Sequence, residues 1–357
     1  MNMRQTRILV FWAAFVGLAG PAAAQQLYVE RLPSDSLAVK SPAERVGGEP
    51  GDMQVLETGC TAQSMTGVRQ RIIDISLQEW AYFGFSVADE TTEPEPRSTS
   101  RTASGGRTRG FPRGFSWLNT DESERLAGSI AGYWAITGDG SWIISRQNEV
   151  WNGSGIGARW RDPWSAAFIS WVMCESGLGD SERFDRAINH HTYIDQAIRA
   201  RDVGASETAY FAYDVGEQPI EPGDLLCAAR RPTLNSLDER RTQLGDGIRS
   251  HCDIVVKLEP EHGRILAVGG NVRGSVSLKM LPADFVTEQG VGPAVVEVGR
   301  GRDRIFAHLK LRADPIENDA LSLSPTLQRM TEEPELVERV RAVLDASGRT
   351  LSGSILL

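Results

Sequence analysis

The 357-residue chain is short of positive charge, cysteine and histidine, and each shortage closes a route. Lys and Arg total 38 against 47 Asp and Glu, a formal net charge of −9. A grip on nucleic acid needs a surplus of cations to displace counterions from phosphates, so nucleic-acid binding is not expected. The four cysteines, Cys60, Cys174, Cys227 and Cys252, include no C-x-x-C and have no paired histidines near them, which leaves nothing for a zinc site to be built from. Five histidines include no H-E-x-x-H. His190 and His191 are adjacent, and on a helix such neighbours point about 100° apart, a poor arrangement for sharing a metal. His262, in an expected turn, and His308, in an expected strand, have no carboxylate or histidine at metal-motif spacing. No metal or cofactor is therefore expected. Nor is there a G-x-S-x-G elbow at Ser154, because Asn152 stands where its first glycine belongs.

Long apolar runs are also scarce. The one at the start, Ile8 to Gly20, follows Arg4 and Arg7 and precedes Ala22-Ala23-Ala24. That pattern is a secretory signal peptide over 1–24, cleaved after Ala24 and too short to span a bilayer. Loss of Arg4 and Arg7 takes the charge from −9 to −11. The mature chain is expected to be periplasmic or secreted, with no membrane span. In an oxidising compartment its four cysteines allow two disulfides, in any of three connectivities.

Residues 25–60 are polar, with scattered Pro and Gly, and read as a flexible leader. A helix follows in VRQRIIDISLQEWAYFG, where Ile72, Ile73, Ile75, Leu77, Trp80 and Phe83 fall largely on one stripe. Residues 88–114 carry almost no apolar side chain until Phe111 and read as a disordered insertion. The sustained core pattern runs on to about Arg312, so 61–312 is one domain, large enough for a sizeable core. Helices are expected at 121–136, 164–175 and 186–200. Strands are expected near 223–229, 251–257, 264–269, 275–280 and 304–311. Helices first and strands second make an α+β fold with N-terminal helices packed on an antiparallel sheet. Residues 313–357 form a tail with one helix, PELVERVRAVLDASG.

Two stretches carry chemistry. In RDPWSAAFISWVMCESGLG, Trp164-Ser165 opens a tightly apolar helix, placing a small hydroxyl where backbone N–H groups are free. The plain alternative is a helix cap. Cys174, nine residues on, lies half a turn away from Ser165 and is structural. In SHCDIVVKLEPEHGRILAVGGN, two strands return about a turn near Glu261, so that opposed residues sum to about 522 and His251 faces Asn271. An imidazole beside a carboxamide is an arrangement that fixes a histidine's tautomer and orientation. Asp253 shares His251's face and ranks second as that partner. Cys252 is on the other face, where the strand after Pro222-Gly223-Asp224 brings Cys227 opposite; this pairing is preferred to one between Cys60 and Cys174.

The ordered motifs PWSAAFISWVM, H-x-x-Y at His190 to Tyr193, PGDLLC, SHCDIVV and VGGNVRGSV resemble the bacterial domain-of-unknown-function family 2272, over roughly Val68 to Arg312. That family in turn looks like a distant branch of the papain-like cell-wall hydrolases, of CHAP and NlpC type. The resemblance implies a papain-like fold with Ser165 at the nucleophile position, His251 as base and Asn271 as the orienting group. Trp164, His190, Tyr193 and Asp253 would line the substrate cleft. Where those hydrolases carry cysteine, this chain carries serine. A thiol can be held as a standing thiolate, whereas a hydroxyl needs a base during attack. Two functions follow as expectations. One is a peptidoglycan amidase or endopeptidase acting on stem peptides. The other is an inactive papain-like module that binds cell-wall peptide or an envelope protein partner.

Overall fold

The computed structural model describes residues 28–92, 120–286 other than 232, and 294–332, with 334, 337 and 338 beyond them. The expected signal peptide, most of the expected insertion and most of the expected C-terminal helix lie outside these residues.

The stretch expected to be a flexible leader is, from residue 28 onward, laid down on the domain. It contains a turn of α-helix, α1 (Ser34–Leu37), a turn of 3-10 helix at Pro42–Arg45, and a small ribbon of β1 (Val46–Gly47) with β2 (Gln54–Val55). Val29, Val39, Val46 and Met53 are buried singly along it. Arg31 Nε donates to Glu79 Oε1 at 2.5 Å, Arg45 Nε donates to Glu175 Oε1 at 3.1 Å, and Cys60 is disulfide-bonded to Cys174. Order here comes from distant carboxylates and a cross-link, which local composition does not reveal.

Helix α2 (Val68–Tyr82) has nearly every residue buried, including the expected stripe. Next come β3 (Ser86–Asp89), α3 (Thr120–Ala135), α4 (Gly140–Ser154), α5 (Ser165–Met173) and α6 (His190–Val203). Then follow β4 (Tyr210–Tyr213), β5 (Leu225–Arg231), α7 (Leu237–Arg241), β6 (Arg249–Glu259), β7 (Arg264–Val272), β8 (Ser275–Val286), β9 (Ala294–Val298), β10 (Ile305–Leu311) and α8 (Pro325–Thr331). The protein is thus α+β, with one large sheet in the order β3-β8-β7-β6-β5-β10-β4 and β9 paired to β8.

Two details depart from expectation. The sheet is mixed, because β3 runs parallel to β8 while the other pairs are antiparallel. Its first strand, β3, runs into the stretch expected as insertion, whose first residue, Ala88, is buried. Helix α4 was not foreseen: Ile143, Ile144, Gln147 and Trp151 give it a narrow buried stripe in an otherwise polar segment.

The β6–β7 register follows the expected sum of 522 at Ile254↔Val268 and Val255↔Ala267, then shifts by one residue at a bulge. All nine residues of α5 are buried, as a helix apolar on every side requires. It packs on β6 and β7, with α2 and α3 against it. Both cysteine pairs are bonded, Cys227–Cys252 and Cys60–Cys174. No helix among the described residues is long and apolar enough to cross a membrane.

Candidate active site

Ser165 does not cap its helix. Trp164 takes the cap position and Ser165 is the first helical residue. The helix ladder begins with Phe168 N–H donating to the Trp164 carbonyl, so the N–H groups before it emerge from the helix end. The Ser165 hydroxyl is instead directed to an imidazole, with Oγ 2.7 Å from His190 Nε2. That imidazole is on the first residue of α6, and its Nδ1 is hydrogen-bonded to the Tyr193 hydroxyl one helical turn on. Burial, and then the charge of nearby His251, hold His190 well below the ordinary histidine range, so its ring is neutral at physiological pH. Burial and then the Asp253 charge keep Tyr193 a neutral phenol.

His251, expected to serve Ser165 and to be held by Asn271, is held by Asp253. Its Nε2 donates to Asp253 Oδ1 at 2.8 Å, and its ring meets that of His190 edge to face, with centroids 5.3 Å apart. Lys279 Nζ donates to the other carboxylate oxygen of Asp253 at 2.9 Å and lies 3.2 Å from Glu90. Burial pushes the Asp253 carboxyl up, but His251 and Lys279 outweigh it and hold the group well below the usual carboxylate range. Burial likewise works against the Lys279 ammonium, and Asp253 and Glu90 together raise its pKa above the ordinary value. The result is a chain of alternating charge, Glu90, Lys279, Asp253, ending at His251.

The paired glycines of VGGN explain how these groups fit. By the 522 register Gly269 falls opposite Asp253, and a Cβ there would sit 2.0 Å from Asp253 Oδ1 and 3.0 Å from His251 Nε2. The missing side chain is the space in which the carboxylate crosses β7. Gly270 does the same for the helix, since a Cβ there would be 2.5 Å from Phe168 Cβ. The next residue, Asn271, has a left-handed backbone with φ 56°, and the β6–β7 ladder has ended before it. Among the described residues its carboxamide makes no hydrogen bond to His251. The strand alternation was legible, but the end of the ladder and its left-handed turn redirect this side chain.

Of the residues expected to line a cleft, His190, Tyr193 and Asp253 join the site. Trp164 does not: its ring is buried against Phe83 and Tyr133 and belongs to the core. Lys279 and Glu90 were missed. The signal for Lys279 was a lone charge inside the apolar strand SVSLKMLP, which can be buried only with an opposite partner. Among the described residues no group of three or more potential ligands could hold a metal.

These features define a class of protein: an α+β domain with a serine at a helix N-terminus, a neutral imidazole on its hydroxyl, and a second imidazole fixed by a buried carboxylate. The chain belongs to the family described as "Uncharacterized protein conserved in bacteria (DUF2272)", whose model matches residues 121–310, more than half of its length. No curated protein and no solved structure matches it.

Proposed function

We propose that this protein is an exported hydrolase of the bacterial cell envelope, of papain-like type, that cleaves amide bonds in peptidoglycan stem peptides with Ser165 as nucleophile. The observation that carries the reading is the Ser165 hydroxyl 2.7 Å from one neutral imidazole whose ring touches a second, carboxylate-bound imidazole. Export is supported by the two disulfides, which persist in oxidising compartments, and by the signal-like start of the sequence.

The chemistry runs as acyl transfer. Ser165 Oγ attacks the substrate carbonyl carbon, and its proton passes to His251. Asp253 occupies Nε2 of that ring, which leaves Nδ1 without a protein partner among the described residues and able to take the proton. The N–H groups at the start of α5 stabilise the oxyanion. His251 then returns the proton to the leaving amine, an acyl-Ser165 remains, and water releases the acid by the reverse sequence. Asp253 takes the orienting role first assigned to Asn271.

One observation favours a second reading, a non-catalytic module binding cell-wall peptide or an envelope protein: Ser165 is only 8% exposed and His190 4%. Digestion of purified peptidoglycan sacculi, read by mass spectrometry of released fragments, separates the two. The hydrolase reading expects release by the wild type and none by Ser165→Ala. Binding to sacculi by both proteins with release by neither would establish the module instead.

A further inference from the structure

We infer that His190 acts as a hydrogen-bond donor to the Ser165 oxygen, not as the base that removes its proton, and that Tyr193 fixes the tautomer which makes it so. The catalytic part of this inference rests on Ser165 being the nucleophile. The tautomer itself does not.

Three hydroxyl and imidazole groups stand in a row: Tyr193 OH, His190 Nδ1 and Nε2, Ser165 Oγ. With a neutral ring the row holds three protons and only two links, so one terminal proton is left over. If His190 accepted from Ser165, its Nδ1–H would donate to the Tyr193 oxygen and the phenol's own proton would be stranded. Tyr193 is 1% exposed, and among the described residues His190 Nδ1 is the single hydrogen-bond partner of its hydroxyl. A buried donor without a partner is costly, and buried polar groups are almost always satisfied. Reversing the row removes the problem. Tyr193 donates to Nδ1, Nε2–H donates to Ser165 Oγ, and the leftover proton is on Ser165, which keeps some contact with the exterior at 8% exposure. Ionising the phenol offers no escape, because burial and the neighbouring Asp253 charge keep it protonated.

A donor on Oγ stabilises negative charge as it develops there, so His190 makes the serine more acidic while another group collects the proton. That task falls to His251, whose Nε2 is committed to Asp253 and whose ring lies against that of His190. The two histidines thus divide the work: His190 touches the reacting oxygen as donor, and His251 handles the proton. Tyr193 is a positioning residue that acts through His190.

The tautomer can be read without any substrate. In full-length protein labelled with ¹⁵N-histidine, the resonances lost in His190→Gln identify the ring. The inference expects its Nε2 to be the protonated, pyrrole-type nitrogen and its Nδ1 the bare, pyridine-type one, with this pattern weakened in Tyr193→Phe. Protonation at Nδ1 in the wild type overturns it. Kinetics supply a second check, because glutamine can present an N–H where Nε2–H stood. His190→Gln should retain activity within about tenfold of wild type, while His190→Ala loses about a hundredfold or more, the usual cost of a lost oxyanion-type donor. A folded His190→Gln as inactive as His190→Ala would overturn the donor role. Inactivity of the wild type, with the expected tautomer in place, would sink the hydrolase reading and leave the tautomer standing.

Discussion

Replacing Gly269 by alanine adds one methyl to a strand of the central sheet, and the structure says where it must go. The new Cβ would lie 2.0 Å from Asp253 Oδ1, well inside van der Waals contact, and 3.0 Å from His251 Nε2. Either β7 moves or the carboxylate leaves its place between His251 and Lys279. Overpacking of this kind typically costs about 1–3 kcal/mol. Prising a buried charge from its partner costs about 3–5 kcal/mol. The two are alternatives, because displacement relieves the clash, so the less costly response sets the floor and a loss of about 1–3 kcal/mol is expected, rising towards about 5 kcal/mol if the carboxylate is displaced. For a domain of this size each kcal/mol lowers the melting temperature by about 2–4 °C, which makes the fall roughly 2–12 °C, and up to about 20 °C if the carboxylate is displaced. Gly153 provides the control. It lies near the end of α4 with nothing within 4 Å of its would-be Cβ, so the same substitution there should be neutral or stabilise by up to about 1 kcal/mol. Thermal unfolding of the two variants beside the wild type decides the matter. If Gly269→Ala melts as high as Gly153→Ala, the Asp253 carboxylate does not occupy the space assigned to it, and the arrangement around His251 is wrong.

Three further outcomes follow from buried groups. Asp74 on α2 is pushed by burial from 3.8 to about 6, despite the hydrogen bond from Gln70. Its raised folded pKa makes the charged form a liability above pH 6 that fades as pH falls towards 4. Asp74→Asn should therefore stabilise the protein at pH 7 by up to about 3 kcal/mol, with the gain gone by pH 4, as urea unfolding across that range will measure. Asp253 has the opposite sign: its depressed pKa gives stability that is complete above the ordinary carboxylate range and is lost on acidification. Lys279→Met removes the ammonium that, together with the His251 hydrogen bond, depresses it, so acid unfolding should begin at higher pH than in the wild type. The Cys60–Cys174 bond spans 114 residues. Chain-entropy arithmetic gives about 4.8 kcal/mol for that loop as an upper figure, and denaturant unfolding of the double serine variant should show a loss of a few kcal/mol.

The features legible in the sequence were those carried by local periodicity. Alternation in HCDIVV and ILAVGG fixed two strands and their register, and the apolar block SAAFISWVM fixed the central helix with Ser165 at its start. The partner of Ser165 was not legible. Which imidazole reaches it depends on how α6 docks, and H-x-x-Y yields only the Tyr193 to His190 turn, one helical turn apart. Asp253 and Asn271 were both in view beside His251. The choice between them depended on a ladder that ends before Asn271 and on Gly269 leaving room for a carboxylate. The anchoring of residues 28–60 was hidden for a related reason. Arg31 and Arg45 look like ordinary surface charges until Glu79 and Glu175, far along the chain, arrive beside them.

The central claim is that the Ser165 oxygen attacks a carbonyl carbon. Its most direct test is to trap the acyl-enzyme: exposure of the purified protein to an activated ester such as p-nitrophenyl acetate, an acid quench, and peptide mapping by mass spectrometry. The account predicts an acyl group on Ser165 in the wild type and none at that position in Ser165→Ala. A wild-type protein that turns over the ester or digests sacculi with no acyl group ever found on Ser165, and at an undiminished rate in Ser165→Ala, would contradict it.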